Sequence, residues 1–235
     1  MVILAGGFGT RLRSVFSDRP KVLVPINGVP FLKCYLEWLR GFGAQRVVLS
    51  LGYMAEMVQE FVKNEDWNGM EILANVETTP LGTGGAVRAC LPLLQSPTAL
   101  VTNGDSVTRL DLARFVEFHQ RKSARLSMVL THQPQVSSSG LVETDANDAV
   151  ISFTEKPVLA DGHHAGGYIN AGLYLMSREA IEEIPTDKPV SIEKDVFPKF
   201  CGRGFYALKG EFPFIDIGTP ESYQRAGEFF RQDIK

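Results

Sequence analysis

The chain has 235 residues, is 44% hydrophobic and 22% charged, and carries a formal net charge of −3. That length holds one large domain or two small ones with ample core, and the charge balance argues against a nucleic-acid-binding face, which needs a basic excess. No apolar run approaches the roughly 20 residues that span a bilayer, and no signal peptide precedes the first strand, so neither membrane contact nor export is expected.

In chain order, "MVILA" reads as a short strand that runs into "GGFGTRL". "PFLKCYLEWLRGFG" puts Leu32, Tyr35, Leu36 and Leu39 on one helical face, stopped by Gly41 and Gly43. "RVVLSL" is a buried strand, and the helix after it carries Met54, Met57, Val58, Phe61 and Val62. "MEILAN" is a strand, "GTGGAVRACLPLL" becomes a helix after its glycines, "TALVTNGD" is a strand ending at Asn103-Gly104-Asp105, and "LARFVEFHQR" is a helix. This strand–helix alternation predicts an α/β fold with a mostly parallel central sheet and helices on both faces.

Beyond about Arg125 the rhythm changes. "LSMVLTH", "GLVETDANDAVISFTEK" and "YINAGLYLMS" are strand-rich, with a hairpin turn at Asp145-Ala146-Asn147-Asp148. "FYALKG", "FPFIDIG" and a helix from Thr219 then return the chain to the sheet. No linker, repeat or low-complexity stretch intervenes, so one α/β domain over residues 1–235 with a β-rich substrate insertion is expected. Cys34, Cys90 and Cys201 are odd in number and far apart, and predict reduced thiols of a cytoplasmic protein, not disulfides or a zinc site.

The glycines and charges cluster where such sheets bind ligands, outside the carboxyl ends of the strands. Gly6, Gly7, Gly9 and Thr10 let backbone amides approach an anion, and a helix N-terminus would add favourable partial charge. Arg11 and Lys21 supply a guanidinium fork and a point charge for phosphate oxygens. Together they predict a polyphosphate cradle. It is neither a Walker loop nor a dinucleotide fingerprint, because Leu12 stands where the last glycine of G-x-G-x-x-G would fall from Gly7. Asp105 and Asp216 each end an apolar strand. Two carboxylates facing such a cradle would hold Mg²⁺ together with substrate phosphate; the alternative for each is a helix N-cap.

"LAGGFGTRL" followed by "RPKVLVPINGVPFL", then "PLGTGGA", "NGD", "GLVETD", "FTEKP", "YINAGLY" and "IDIGTPESY", resembles the sugar-1-phosphate nucleotidyltransferases over essentially the whole chain. The resemblance implies a Rossmann-like fold of the GT-A type, with a nucleotide-binding part at about 1–125 and a sugar-binding part at about 126–210. It also implies transfer of a nucleoside monophosphate from an NTP to a sugar 1-phosphate, with release of pyrophosphate and with Mg²⁺ as cofactor. By the same resemblance, Ala5, Gly6, Gly7, Gly9, Thr10, Gly82, Thr83, Gly85 and Asn103 would bind the nucleotide. Arg11 would hold the leaving phosphates, Lys21 the reacting ones, and Asp105 and Asp216 the metal. Gly140, Glu155, Lys156 and Asn170 would form the sugar-phosphate side, with Glu155 on hydroxyls and Lys156 on the phosphate.

Within the family the chain is most similar to the D-glycero-α-D-manno-heptose 1-phosphate guanylyltransferases, whose product would feed capsule, S-layer glycan or lipopolysaccharide synthesis. Uridylyltransferases acting on N-acetylmuramic acid 1-phosphate and mannose-1-phosphate guanylyltransferases remain alternatives; Gly82 stands where the former more usually carry an acid. A non-catalytic nucleotide-sugar-binding regulator is expected to have lost an aspartate or the arginine, and a glycosyltransferase to carry D-x-D where residues 103–105 read Asn-Gly-Asp. A homodimer is expected from the enzyme class. The loop with His163 and His164 reads as a surface loop or a lid, and His119 and His132 as structural.

Overall fold

The computed structural model describes residues 1–136, 141–154 and 164–231. In chain order the elements are β1 (Val2–Ala5), β2 (Pro25–Ile26), β3 (Val29–Pro30), α1 (Phe31–Gly41), β4 (Arg46–Leu51), α2 (Ala55–Asn64) and β5 (Glu71–Val76). There follow α3 (Gly82–Cys90), β6 (Thr98–Asn103), β7 (Ser106–Thr108), α4 (Leu112–Arg121), β8 (Leu126–Val136), β9 (Leu141–Thr144) and β10 (Val150–Thr154). The chain continues with β11 (His164–Ser177), α5 (Arg178–Glu182), α6 (Phe197–Phe200), β12 (Phe205–Gly210), β13 (Phe214–Asp216) and α7 (Pro220–Arg231). Two compact units divide these elements: Met1–Pro80 with Thr102–Val107 and Ile215–Lys235, and Leu81–Val101 with Thr108–Phe214.

The first unit is an α/β layer. β1 pairs in parallel with β4, Val2 opposite Val48, and β4 pairs in parallel with β5. Five consecutive residues of β4, Val47 to Leu51, are buried. Neighbouring strand residues point to opposite faces, so both faces of this strand are covered, as the parallel reading requires. α1 buries Leu32, Tyr35, Leu36 and Leu39, the face expected from their spacing. It ends where the Ala44 amide donates to the Leu39 carbonyl and the Gly43 amide to Arg40, with Gly43 at φ 79°. That left-handed residue satisfies the last carbonyls at no steric cost. α2 buries Ala55 and Val58 and leaves Met57 on its outer face, while Met54 sits just before it at φ 54°.

A hairpin of β2 and β3 turns on Asn27 and Gly28, at φ 51° and 85°. Asn-Gly in a two-residue turn is a recognised sequence signal, and the sequence reading passed over it. α7 docks on this hairpin: the Tyr223 hydroxyl donates to the Pro25 carbonyl at 2.6 Å and Asn27 Nδ2 to the Gly227 carbonyl at 2.8 Å.

The second unit is mostly antiparallel. β11 lies against β8 from Met176↔Leu126 to His164↔Val136, with a bulge between Asn170 and Tyr174. β12 runs parallel to β8, and β9 and β10 form the expected hairpin. At its turn Asp145 Oδ1 accepts from the amides of Asn147 and Ala149. Tyr174, Phe197 and Phe205 form an aromatic core, with ring centroids 5.1 to 5.3 Å apart. α3 begins at Gly82 itself, so its glycines lie inside the helix rather than before it. The Asp111 side chain caps α4 by accepting from the Ala113 amide at 2.9 Å. His119 is buried on α4 beside the Ser127 hydroxyl at 2.8 Å, and burial lowers its pKa. All three cysteines are free thiols, and burial pushes those of Cys34 and Cys201 up.

Candidate active site at the strand ends

The loop after β1 is a string of turns, not the start of a helix. The Leu12 amide donates to the Gly9 carbonyl, and the amides of Val15 and Phe16 both donate to Leu12, each at 3.0 Å. The partial charge of a helix terminus, invoked from the sequence, is therefore absent here, and any anion held by this loop meets backbone amides and side chains alone. Each glycine has its own reason. A Cβ on Gly6 would lie 3.3 Å from Glu77 Oε1 and from the Gly52 nitrogen. Gly9 stands at φ 58°, where a Cβ would lie 3.1 Å from Lys21 Cβ. Gly7 has nothing within 4 Å, so its bare α-carbon faces open space. Thr10 and Arg11 are exposed, and the Arg11 guanidinium has no hydrogen-bond or ion-pair partner among the described residues.

Lys21 lies in a 3₁₀ turn, and its Nζ donates to Asp105 Oδ2 at 2.6 Å. Asp105 reaches this position because Gly104 lets the chain press on β1. The Gly104 amide donates to the Leu4 carbonyl at 2.9 Å, and a Cβ on Gly104 would lie only 2.6 Å from that carbonyl oxygen. Beneath it, Thr102 and Tyr35 share a buried hydroxyl–hydroxyl hydrogen bond, and burial pushes the Tyr35 phenol well above its ordinary value. The Ile217 amide donates to the Asp105 carbonyl at 2.8 Å, which ties the end of β13 to Asp105. Asp216 Oδ1 then accepts from the Gly218 amide at 2.6 Å and the Ser222 hydroxyl at 3.0 Å. Lys21 Nζ comes within 3.7 Å of where a Gly218 Cβ would be. Lys21, Asp105 and Asp216, together with the Gly9 turn, thus meet at one set of strand ends within the first unit.

Neither aspartate is an N-cap. Asp111 caps α4, and at α7 the Ser222 amide donates to Thr219 Oγ1 at 3.2 Å. Asp105 Oδ1 and Asp216 Oδ2 accept no hydrogen bond among the described residues, and the neighbouring Ser106 hydroxyl is buried without a partner. An oxygen-only set with two unused carboxylate oxygens fits a hard divalent cation that fills its remaining positions with phosphate and water. Among the described residues no group of three or more His, Cys, Asp or Glu side chains forms a metal cluster.

Glu77, which the sequence did not single out, borders the glycine-rich loop at Gly6. It follows β5, at the same end as Ala5 and Gly6, and its Oε1 accepts from the buried Ser50 hydroxyl at 3.1 Å. Its only sequence signal was its place at the carboxyl end of a strand.

The remaining expected nucleotide and sugar residues belong to the second unit, apart from Asn103 at the end of β6, which is half-buried in the first. Gly82, at φ 71°, is exposed, with Val190 O 2.5 Å from where its Cβ would be. The amides of Gly84 and Gly85 donate to the Val190 carbonyl at 2.8 and 3.3 Å. Thr83 Oγ1 donates to Glu193 at 3.0 Å and accepts from the Ile192 amide at 2.8 Å. The segment from Val190 to Glu193 therefore already takes up the polar groups of Thr83, Gly84 and Gly85. Asn170 is similarly engaged: Oδ1 accepts from the Gly172 amide at 3.0 Å and Nδ2 donates to the Tyr174 hydroxyl at 2.8 Å, bracing the β11 bulge. Gly140, Glu155, Lys156 and His163 lie outside the described residues.

Comparison with known proteins follows the same outline. A family model for nucleotidyl transferases matches residues 1–233. D-glycero-α-D-manno-heptose 1-phosphate guanylyltransferase of Aneurinibacillus thermoaerophilus is 35% identical over 226 residues, 96% of this chain and 95% of that protein. Mannose-1-phosphate guanylyltransferase of Mycobacterium tuberculosis is 34% identical over 95% of this chain but only 62% of its own length. The crystal structure of HddC from Yersinia pseudotuberculosis complexed with GMP-PN superposes with a TM-score of 0.85 at 38% identity, covering 97% of this chain and 98% of that one.

Proposed function

We propose a guanylyl transfer for this chain, which belongs to the nucleotidyl transferase family. GMP moves from GTP to D-glycero-α-D-manno-heptose 1-phosphate, giving the GDP-sugar and pyrophosphate. The observation that carries the chemistry is the meeting of Lys21, Asp105 and Asp216 at the ends of the strands beside the glycine-rich loop. The choice of base and sugar is supported by the end-to-end match to a heptose-1-phosphate guanylyltransferase and by the likeness to a structure that holds GMP-PN.

The sugar phosphate is anionic at neutral pH, so its oxygen attacks the α-phosphorus of GTP without a general base. The new P–O bond forms in line with the bond to the bridging oxygen, which breaks and leaves with pyrophosphate. What opposes the step is the repulsion of two polyanions and the charge that builds up on the transferring group. Ala5, Gly6, Gly7, Gly9 and Thr10 wrap the nucleotide, with Gly7 offering room for close approach. Arg11, without an ion-pair partner among the described residues, holds the leaving phosphates. Lys21 turns from Asp105 towards the α-phosphate. Asp105 and Asp216 would hold a divalent cation, Mg²⁺, which when bound neutralises phosphate charge. Gly82, Thr83, Gly85 and Asn103 complete the nucleotide side, Thr83 and Gly85 by holding the loop through Val190 and Glu193. Asn170 shapes the sugar side through the β11 bulge, with Gly140, Glu155 on hydroxyls and Lys156 on the sugar's phosphate. The reaction is assigned to the cytoplasm and to a homodimer, to be read by light scattering.

The test is pyrophosphate release by the purified protein with ATP, GTP, CTP, UTP and dTTP against heptose, mannose and N-acetylmuramic acid 1-phosphates. Fastest turnover is expected with GTP and the heptose phosphate. Faster turnover with mannose 1-phosphate would replace the sugar, faster turnover with UTP would replace the base, and no release with any pair would leave a nucleotide-sugar-binding protein.

A further inference from the structure

The loop from Gly6 to Phe16 carries Arg11 yet has almost nothing regular to hold it. It lacks a helix, and from Gly7 to Val15 only Leu12 is buried. An arginine that must meet departing phosphates gains little from a backbone that wanders, because the cost of fixing it would fall on every turnover. Something outside the loop has to hold it.

Three contacts converge on one residue, Tyr53, in the link from β4 to α2. Its amide donates to the Gly6 carbonyl at 3.5 Å. Its ring lies 5.8 Å from that of Phe8, tilted by 43°. The Arg13 guanidinium sits 4.3 Å from the centre of the same ring. Phe8 and Arg13 bracket Arg11, three residues before it and two after, so a single ring holds both flanks. Gly52 fixes how close this can come: a Cβ there would lie 2.8 Å from the Gly6 carbonyl oxygen. Phe8 remains 54% exposed, and the contact with Tyr53 gives this large apolar ring at least one partner.

We infer that Tyr53 is a positioning residue that clamps the glycine-rich loop, presenting Arg11 to the phosphates of the nucleotide through ring contacts with Phe8 and Arg13. The inference rests on the proposed role of the loop in nucleotide binding. The working part of Tyr53 is its ring, since both side-chain contacts are to the ring and neither is to the hydroxyl.

The experiment compares Tyr53→Ala and Tyr53→Phe with the wild type, first without substrate and then in turnover. Hydrogen exchange in the free protein is expected to speed up over residues 6–16 in Tyr53→Ala and to stay at the wild-type rate in Tyr53→Phe. With whichever NTP the wild type uses, Tyr53→Ala is expected to raise the KM for that nucleotide by about tenfold, the scale of losing one aromatic pair and one cation–π contact. The KM for the sugar phosphate stays within about twofold, since a single exposed contact is worth little beyond its own site. Should Tyr53→Ala fail to fold, Arg13→Ala and Phe8→Ala each remove one contact and are read the same way, at a smaller shift. Unchanged loop exchange in the alanine variants overturns the clamp. Faster exchange with an unchanged nucleotide KM, or Tyr53→Phe as impaired as Tyr53→Ala, overturns the positioning role. A wild type that prefers UTP would sink the guanylyl reading alone and leave this one standing.

Discussion

Lys21 and Asp105, 84 residues apart in sequence, form an ion pair at 2.6 Å at the head of the strands. The lysine side chain is only 12% exposed and the aspartate 42%. The pair sets the ammonium beside the carboxylate proposed to face the metal, so the two charges offset one another. Lys21→Ala should lower kcat by about 10²–10³-fold, the usual scale for removing a group that stabilises developing charge. Because the lysine stem is nearly buried, Lys21→Met, which keeps the stem and removes the charge, is the control: it should lose activity as Lys21→Ala does, with the urea midpoint close to that of the wild type. Loss of folding in step with activity would sink the catalytic assignment.

Asp216→Asn keeps an oxygen for the Gly218 amide and the Ser222 hydroxyl but removes the charge. Turnover should fall by orders of magnitude, and the Mg²⁺ concentration for half-maximal rate should rise, with the circular dichroism spectrum unchanged. The same is expected of Asp105→Asn. A variant with wild-type Mg²⁺ dependence would remove that aspartate from the metal site.

Gly7 and Gly104 predict opposite outcomes for one added methyl. Nothing lies within 4 Å of a Cβ on Gly7, so Gly7→Ala should fold normally and raise the KM for nucleotide. On Gly104 the methyl would meet the Leu4 carbonyl oxygen at 2.6 Å. Backbone cannot yield as a side-chain tip does, and Gly104→Ala should cost about 1–3 kcal/mol of stability. Chemical unfolding alongside nucleotide titration separates the two.

His119 gives a stability signal in acid. Burial holds its folded pKa below the ordinary 6.5. In the window below that value the unfolded chain binds the extra proton, so stability is full above it and declines as pH falls towards the folded pKa. His119→Gln, which cannot titrate, should flatten the part of the urea-midpoint profile that lies below pH 6.5. An unaltered slope would assign the acid sensitivity elsewhere.

The helices and strands were legible wherever burial writes a period into the chain. Leu32, Tyr35, Leu36 and Leu39 define α1 outright, and Val47–Leu51 reads as a doubly covered strand. Asp105 and Asp216 were legible as strand-end acids because apolar runs stop at them. Other features depend on distant partners and leave no local trace. The amides of Gly84 and Gly85 are taken by Val190, more than 100 residues on, and Thr83 by Glu193. No spacing in "GTGGAVRAC" says that its polar groups are already spoken for. The turns after Gly9 misled for a related reason: a glycine-rich stretch after a strand commonly opens a helix, and here Leu12 folds under the loop instead. Asn27-Gly28 could have been read, since that pair has a local mechanism.

The bare α-carbon of Gly9, on which a Cβ would lie 3.1 Å from that of Lys21, has an evolutionary consequence. The two positions cannot drift separately. Any side chain at 9 strains a left-handed backbone and needs Lys21 to give by a few tenths of an ångström, which shifts the amine proposed to meet the phosphates. Single changes at either should score as dead in a mutational scan, and double changes should deviate strongly from the sum of the singles. A library built to alter nucleotide choice would therefore do best to leave this couple intact.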